Sequence, residues 1–308
     1  MPKFLYQIII ISLVLMIIST RASMSSKIKY ATSENIIAKT ISSPIPDSIK
    51  FAGEEVPLEF FDVKESLDRE IQVNTYFHSQ TILYLKRANR FFPEIERILK
   101  EENIPDDFKY LPVAESGLTN SVSPSKAAGF WQFLPKTAEE YGLEINDEID
   151  ERFNIERSTR AACVYLKETY QEFGSWTMAA AAYNVGKNAL RKIIDNQKQN
   201  TYYNLFLNEE TSRYVFRIIA IKLVMTNPEN YGFSISQSDL YPSYCYNEIK
   251  IDTTINDLVQ FAISQGINYK LLVMFNPWIK SKSLTLKKER NFFQLKIPCK
   301  DYRQNAYK

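Results

Sequence analysis

Between Tyr76 and Phe233 the apolar residues recur at three- and four-residue intervals, and no stretch alternates as a half-buried strand would. That rhythm confines this part of the chain to packed helices. Tyr76, Phe77, Ile82, Leu83 and Leu85 form the first stripe. Phe91, Phe92, Ile95, Ile98 and Leu99 form the next, with Pro93 suited to the first turn of a second helix. Asn103–Asp107 breaks the pattern, and Asp106 or Asp107 is predicted to cap a helix over Phe108–Glu115. Further helices are predicted over Trp131–Tyr141, closed by Gly142, and over Ile155–Phe173 with Ala161, Ala162, Val164, Tyr165, Leu166 and Tyr170 inward. Trp176–Tyr183, Val185–Ile194 and Glu210–Thr226 complete the set, and Asn227–Pro228 stops the last. The acidic stretch Asp147–Asn154 reads as a solvated loop that caps the following helix.

The flanks differ. Lys3 precedes a nearly continuous apolar run, Phe4–Ile18, followed by small and polar residues. Residues 1–25 therefore read as a signal peptide or as an uncleaved N-terminal anchor, giving an exported, periplasmic protein with membrane attachment in the second case. No cysteine follows directly, which excludes the usual lipoprotein attachment. Residues 26–75 read as a linker and docking segment, with Ser42-Ser43-Pro44-Ile45-Pro46 its least regular part. Beyond Tyr241, strand patterns at Tyr244–Ile251 and Phe292–Ile297 enclose two short helices, Ile255–Ser264 and Tyr269–Asn276. The expected fold class is thus mainly α: a helical domain over 76–233, followed by a small α+β domain of βααβ order over 241–300.

Composition removes several functions. Net charge is +2, from 38 basic and 36 acidic residues, so no nucleic-acid partner is expected. There are three cysteines, no CxxC and a single histidine, His78. No metal or other cofactor is expected from so few ligands, and a Ser-His-Asp triad finds no nucleophile motif near His78.

The chemistry concentrates at Leu111–Thr137. Glu115 ends an apolar helical run, where desolvation raises a carboxyl pKa and keeps the acid protonated near neutrality. Glu115-Ser116, then Gly129-Phe130-Trp131-Gln132, then Ala182-Tyr183-Asn184-Val185-Gly186 follow in order. This set resembles the lytic transglycosylase family with a goose-type-lysozyme-like (SLT) catalytic domain, in particular its membrane-bound murein transglycosylase D type. Phe130 stands where that family more often has Leu. The resemblance spans roughly Phe91–Phe233. It implies a lysozyme-like fold and peptidoglycan glycan strands as substrate. It also implies non-hydrolytic cleavage of the bond between N-acetylmuramic acid and N-acetylglucosamine, giving a 1,6-anhydro product.

Glu115 is implied as the general acid and then base. Gln132, Tyr183 and Asn184 are implied to hold sugar hydroxyl or acetamido groups. Gly129 would permit close backbone approach, Ser116 would bond substrate or Glu115, and Tyr214 would bond the Glu115 carboxyl. Plainer readings stay open for a loop-bracing Gln132 and a core Tyr214. No acidic residue, Glu139, Glu140 and Asp147–Glu151 included, sits in a motif that aims it at Glu115 as a second carboxylate. Two rivals remain: a muramidase that admits water, and a catalytically silent wall-binding protein.

The C-terminal pattern, with Leu258, Ala262, Leu271 and Asn276-Pro277, is similar to a LysM module, although Ile251-Asp252-Thr253-Thr254 replaces the usual Gly-Asp-Thr. Glycan binding and a packing-only role both remain open for it. Antiparallel pairing of its end strands brings Cys245 to Cys299, so a disulfide is expected there, with Cys163 a buried free thiol.

Overall fold

A computed structural model describes residues 41–288 and 290–307. Residues 1–25 and the first part of the proposed linker, to residue 40, lie outside the described residues. Among the described residues no helix is long and apolar enough to cross a membrane.

Ser43–Lys308 forms one compact unit built on two hydrophobic cores. The larger core is helical. A two-residue hairpin, β1 (Lys50–Phe51) with β2 (Glu54–Glu55), leads into α1 (Phe61–Tyr76) and α2 (His78–Glu101). Short helices α3 (Leu111–Ser116) and α4 (Pro135–Glu140) follow, then α5 (Ile155–Phe173), α6 (Trp176–Val185), α7 (Lys187–Gln197) and α8 (Glu209–Thr226). Local chemistry sets the ends. The Asn154 side chain accepts from the Glu156 and Arg157 amides, both at 3.1 Å, to open α5, and left-handed Gly174 closes it. Asn208 opens α8 by accepting from Thr211 N at 3.0 Å.

Val215, Ile218, Ile219 and Val224 make α8 the buried spine of this core, and α1 packs along it through Leu67 and Ile71. This corrects the linker reading of 26–75. Residues 50–75 carry the hairpin and most of a core helix, whose polar bulk hides three fully or nearly fully buried positions, Val63, Leu67 and Ile71.

Other expectations need correction. Pro93 stands inside α2 rather than at a helix start. Asp106 and Asp107 supply no cap; Asp107 instead accepts from Ala52 N and Lys222 Nζ, both at 2.7 Å, tying the hairpin to α8. Trp131–Leu134 is turn, and only Pro135–Glu140 is helical, because Gln132 adopts a left-handed φ of 47°. Val164 and Tyr170 point outward, being on the exposed side of α5. The acidic 147–154 stretch does cap the following helix, through Asn154, but it is not solvated, since Asp150, Glu151 and Arg152 are all buried.

The second core belongs to β3 (Tyr246–Ile251), α9 (Leu258–Ser264), α10 (Tyr269–Phe275) and β4 (Phe293–Pro298), with α11 (Tyr302–Asn305) after it. The strands pair antiparallel, with Tyr246 opposite Pro298 and Ile251 opposite Phe293. Phe293, Leu295 and Ile297 alternate inward along β4. Cys245 and Cys299 are joined just beyond the last strand pair, with Cα atoms 5.4 Å apart, and Cys163 is free and buried. Ile149, from the stretch between α4 and α5, is built into this second core.

Candidate active site

Glu115 lies on the last turn of α3. Gly117 ends the helix at φ +60°, and a Cβ there would stand 2.8 Å from the Tyr84 ring and 3.0 Å from Gln80 Nε2. The chain after Glu115 thus presses against α2, where Arg87 Nη1 donates to the Gly117 carbonyl at 3.0 Å. From the other side the Tyr214 hydroxyl, on α8, donates to Glu115 Oε1. Burial pushes the Glu115 carboxyl up from the ordinary 4.5 to about 7, against the opposing effects of the Tyr214 hydrogen bond and the Arg217 charge, with Glu210 adding to the rise. Tyr183 and Tyr214 are both held well above the usual phenol range by burial and then by the neighbouring Glu115 charge, so both remain hydrogen-bond donors.

Arg217 is held by a buried acid. Glu70 of α1, 1% exposed, accepts from Arg213 Nε at 2.7 Å, and its second oxygen lies 3.8 Å from Arg217 Nε. Sequence reasoning missed Gln80, Tyr84, Arg87 and Arg217. Arg217 has a legible signal, since it follows Tyr214 by one helical turn on α8.

The remaining residues brace the site more than they open onto it. The Ser116 hydroxyl donates to the Pro112 and Phe130 carbonyls at 3.0 and 2.9 Å, rather than to Glu115. Gln132 Nε2 donates to the Gly129 and Ser121 carbonyls at 2.8 and 3.1 Å, leaving Oε1 without a donor among the described residues. The Tyr183 hydroxyl donates to the Trp131 carbonyl at 2.8 Å. Asn184 Oδ1 accepts from Thr211 Oγ1 at 2.8 Å. Gly129, at φ +78°, does permit a close backbone approach, but the approaching group is Arg152, whose carbonyl would lie 2.0 Å from an added Cβ.

Arg152 is the hub of this loop. Its guanidinium pairs with Asp150 at 2.9 and 2.7 Å and donates to the Lys126 and Phe133 carbonyls at 2.7 and 3.1 Å. Two residues earlier in the chain, the Asp150 amide donates to the Trp278 carbonyl at 2.9 Å. Glu148 accepts from Ser283 and from the Thr285 amide. One short segment therefore holds the Gly129–Gln132 turn with one end and the C-terminal module with the other. Among the described residues no group of His, Cys, Asp or Glu is arranged to hold a metal ion.

A groove of about 650 Å³ opens elsewhere, between α2, the 151–157 segment and the C-terminal module, and Glu115 does not line it.

The match to known proteins agrees with this architecture. Residues 93–206 match the transglycosylase SLT domain, and residues 247–301 match the soluble lytic transglycosylase C-terminal LysM-like domain. The chain carries an SLT transglycosylase domain followed by a LysM-like domain. Over 251 residues it is 27% identical to membrane-bound lytic murein transglycosylase D of Escherichia coli K12, covering 79% of this chain and 54% of the relative. The chain thus spans about half the length of that relative. A putative tributyltin chloride resistance protein of Alteromonas is 30% identical over 125 residues, covering 40% of this chain and 60% of the relative. Among solved structures, the 70 kDa soluble lytic transglycosylase of Escherichia coli superposes with a TM-score of 0.37 at 19% identity, covering 48% of this chain and 26% of that one.

Proposed function

We propose that this protein is a peptidoglycan lytic transglycosylase in which Glu115 works alone as acid and then base. The observation that carries the reading is a carboxyl held near pH 7 by burial, with one oxygen bonded by Tyr214. Protonated Glu115 gives its proton to the glycosidic oxygen between N-acetylmuramic acid and N-acetylglucosamine, and the bond from that oxygen to C1 breaks. The carboxylate so formed is steadied by the Tyr214 hydroxyl and the Arg217 charge. It then takes the proton of the muramoyl 6-hydroxyl as that oxygen bonds to C1. Atoms balance without water, and the product is the 1,6-anhydro sugar. A group that must donate and then accept one proton works best with a pKa near the working pH.

The absence of an assigned second carboxylate is compatible with this route, because the nucleophile comes from the substrate. The braced Gln132 turn keeps Oε1 for a sugar donor, and Asn184 Nδ2 makes no protein bond among the described residues. Gly129 serves the site indirectly, by letting Arg152 close under the turn. An exported protein, attached to the membrane through its N-terminal segment, fits the similarity to a membrane-bound relative.

Digestion of purified sacculi tests the reading. Wild type is expected to release muropeptides one water lighter than hydrolytic products, and Glu115→Gln to lose activity by about a thousandfold while keeping its fold. Products of full hydrolytic mass would convert the assignment to a muramidase. Unchanged digestion by the variant would remove Glu115 from the chemistry.

A further inference from the structure

We propose that Glu70 is a positioning residue of the active site, acting on Glu115 through Arg217. The inference rests on the role proposed for Glu115 and adds the device that supports it. Glu70 stands on the inward stripe of α1, between Leu67 and Asn74, and is 1% exposed. A carboxylate so placed needs hydrogen-bonded cations. Only one of its oxygens has them. Oε1 accepts from Arg213 Nε at 2.7 Å and from Arg69 Nη1 at 3.0 Å, whereas Oε2 is buried and accepts no hydrogen bond among the described residues.

The cation facing that bare oxygen is Arg217. Its Nε stands 3.8 Å from Glu70 Oε2 and its Nη1 3.6 Å from Glu210 Oε1, both beyond hydrogen-bond reach. A guanidinium carries five N–H donors. An arrangement built for stability alone would close one of them on Oε2, because a buried acceptor without a donor is costly. Held between two carboxylates and bonded to neither, Arg217 keeps donors for a third. That third is Glu115, since Arg217 follows Tyr214 by one turn of α8 and Tyr214 donates to Glu115 Oε1.

The other groups around the acid do not duplicate this role. Glu210, also on α8, raises the proton affinity of Glu115 where Arg217 lowers it. Tyr183 of α6 and Tyr84 of α2 are neutral phenols, held above their usual range by burial. Arg87 of α2 is engaged with the Gly117 carbonyl. Beside Glu70, the connection before α8 adds Tyr202, a neutral phenol that donates to the Thr211 and Ser212 carbonyls. While Glu115 is protonated, Glu70 and Glu210 share the Arg217 charge. When Glu115 gives up its proton, the new carboxylate meets a guanidinium already in place.

The test follows the acid itself, by NMR titration of full-length protein labelled at its glutamate carboxyl carbons, the Glu115 signal being the one lost in Glu115→Gln. Glu70→Gln keeps the size of the side chain and its acceptor for Arg213, and removes the charge that holds Arg217. Arg217→Met keeps the stem and removes the guanidinium. Each is expected to raise the Glu115 titration by roughly one pH unit, and the two together by no more than either alone. A titration unmoved by Glu70→Gln, or shifts that add in the double variant, overturns the proposal. Should Glu70→Gln not fold, Glu70→Asp takes its place: it draws the charge back by one methylene, and its smaller upward shift must vanish in the Arg217→Met background. If wild type fails to digest sacculi while the titrations behave as expected, the catalytic reading falls and the coupling of Glu70 to Glu115 stands. Loss of digestion in Glu115→Gln, with a titration that Glu70→Gln leaves unmoved, gives the converse.

Discussion

The helical body and the C-terminal module solve the same burial problem with unequal means. The body surrounds α8 with long helices, and its core runs from Ile49 to Phe233. It even absorbs charge, since Glu70, Asp150 and Arg152 are buried with ionic partners. The module has ten buried apolar residues, and one of them, Ile149, comes from the body. A core of that size leaves a small unit marginal, so a disulfide and a docked neighbour supply what burial does not. Glu115 lies in the part whose packing desolvates a carboxyl, and the module depends on the part that carries it.

The largest effect should come where the two regions share a residue cluster. Arg152→Ala leaves Asp150 buried without its counter-ion and frees the Lys126 and Phe133 carbonyls, at an expected cost of about 4 kcal/mol. If the segment links the regions, calorimetry should find both destabilised and sacculus digestion weakened. A variant that melts like wild type would break the link. The next effect separates the regions. Replacing Cys245 and Cys299 by Ser opens a loop of 54 residues, worth about 4 kcal/mol in chain entropy. The module's amides are expected to lose hydrogen-exchange protection while those of α8 keep theirs. Equal loss in both would mean that the regions unfold as one.

A third effect belongs to the body alone. The Glu115 carboxyl titrates near pH 7 when folded and near 4.5 ordinarily. Below pH 4.5 both forms are protonated and the site costs nothing. As pH rises from there to 7 the unfolded chain ionises first, so folding loses stability across that window. Glu115→Gln removes the penalty, and its melting point should overtake that of wild type progressively between pH 4.5 and 7. The side chain is partly rather than fully buried, which limits the gain to about 2 kcal/mol. Parallel melting curves for the two proteins would show that the carboxyl is not desolvated.

The same contrast explains what the sequence made legible. Helical periodicity located α5, α6 and α8 because their apolar faces are long and their caps, Asn154, Ser175 and Asn208, are side chains with a local job. The strand alternation that brings Cys245 to Cys299 was equally plain. α1 was hidden because its inward face is only three narrow apolar positions in a charged sequence, and tertiary packing on α8 makes the helix. At the site, motif order makes Glu115 and Tyr214 accessible, whereas the local pattern places Arg152 in a solvated acidic loop. Its burial depends on partners 19 and 26 residues away and on a module more than 120 residues further on, none of which any local pattern encodes. The place of Arg217 is illegible for a similar reason, since it is set by Glu70 on α1, a helix that no local pattern marks.

The smallest predicted effect concerns tuning rather than folding. In Glu115 the Tyr214 hydrogen bond and the Arg217 charge oppose the rise that burial imposes. Removing either should therefore raise the carboxyl pKa further, not restore it to an ordinary value. If protonated Glu115 starts the reaction, wild-type kcat/KM falls as pH rises through about 7, because the free enzyme then loses its acid. Tyr214→Phe keeps the ring and deletes one bond to the ionised form, so this descending limb should move up by roughly one pH unit. The plateau below it should drop, since the carboxylate formed midway loses a donor. A purely packing Tyr214 would leave the limb where it was and change the rate alike at every pH. The pH profile therefore distinguishes a tyrosine that sets the acid's proton affinity from one that only fills the core of the body.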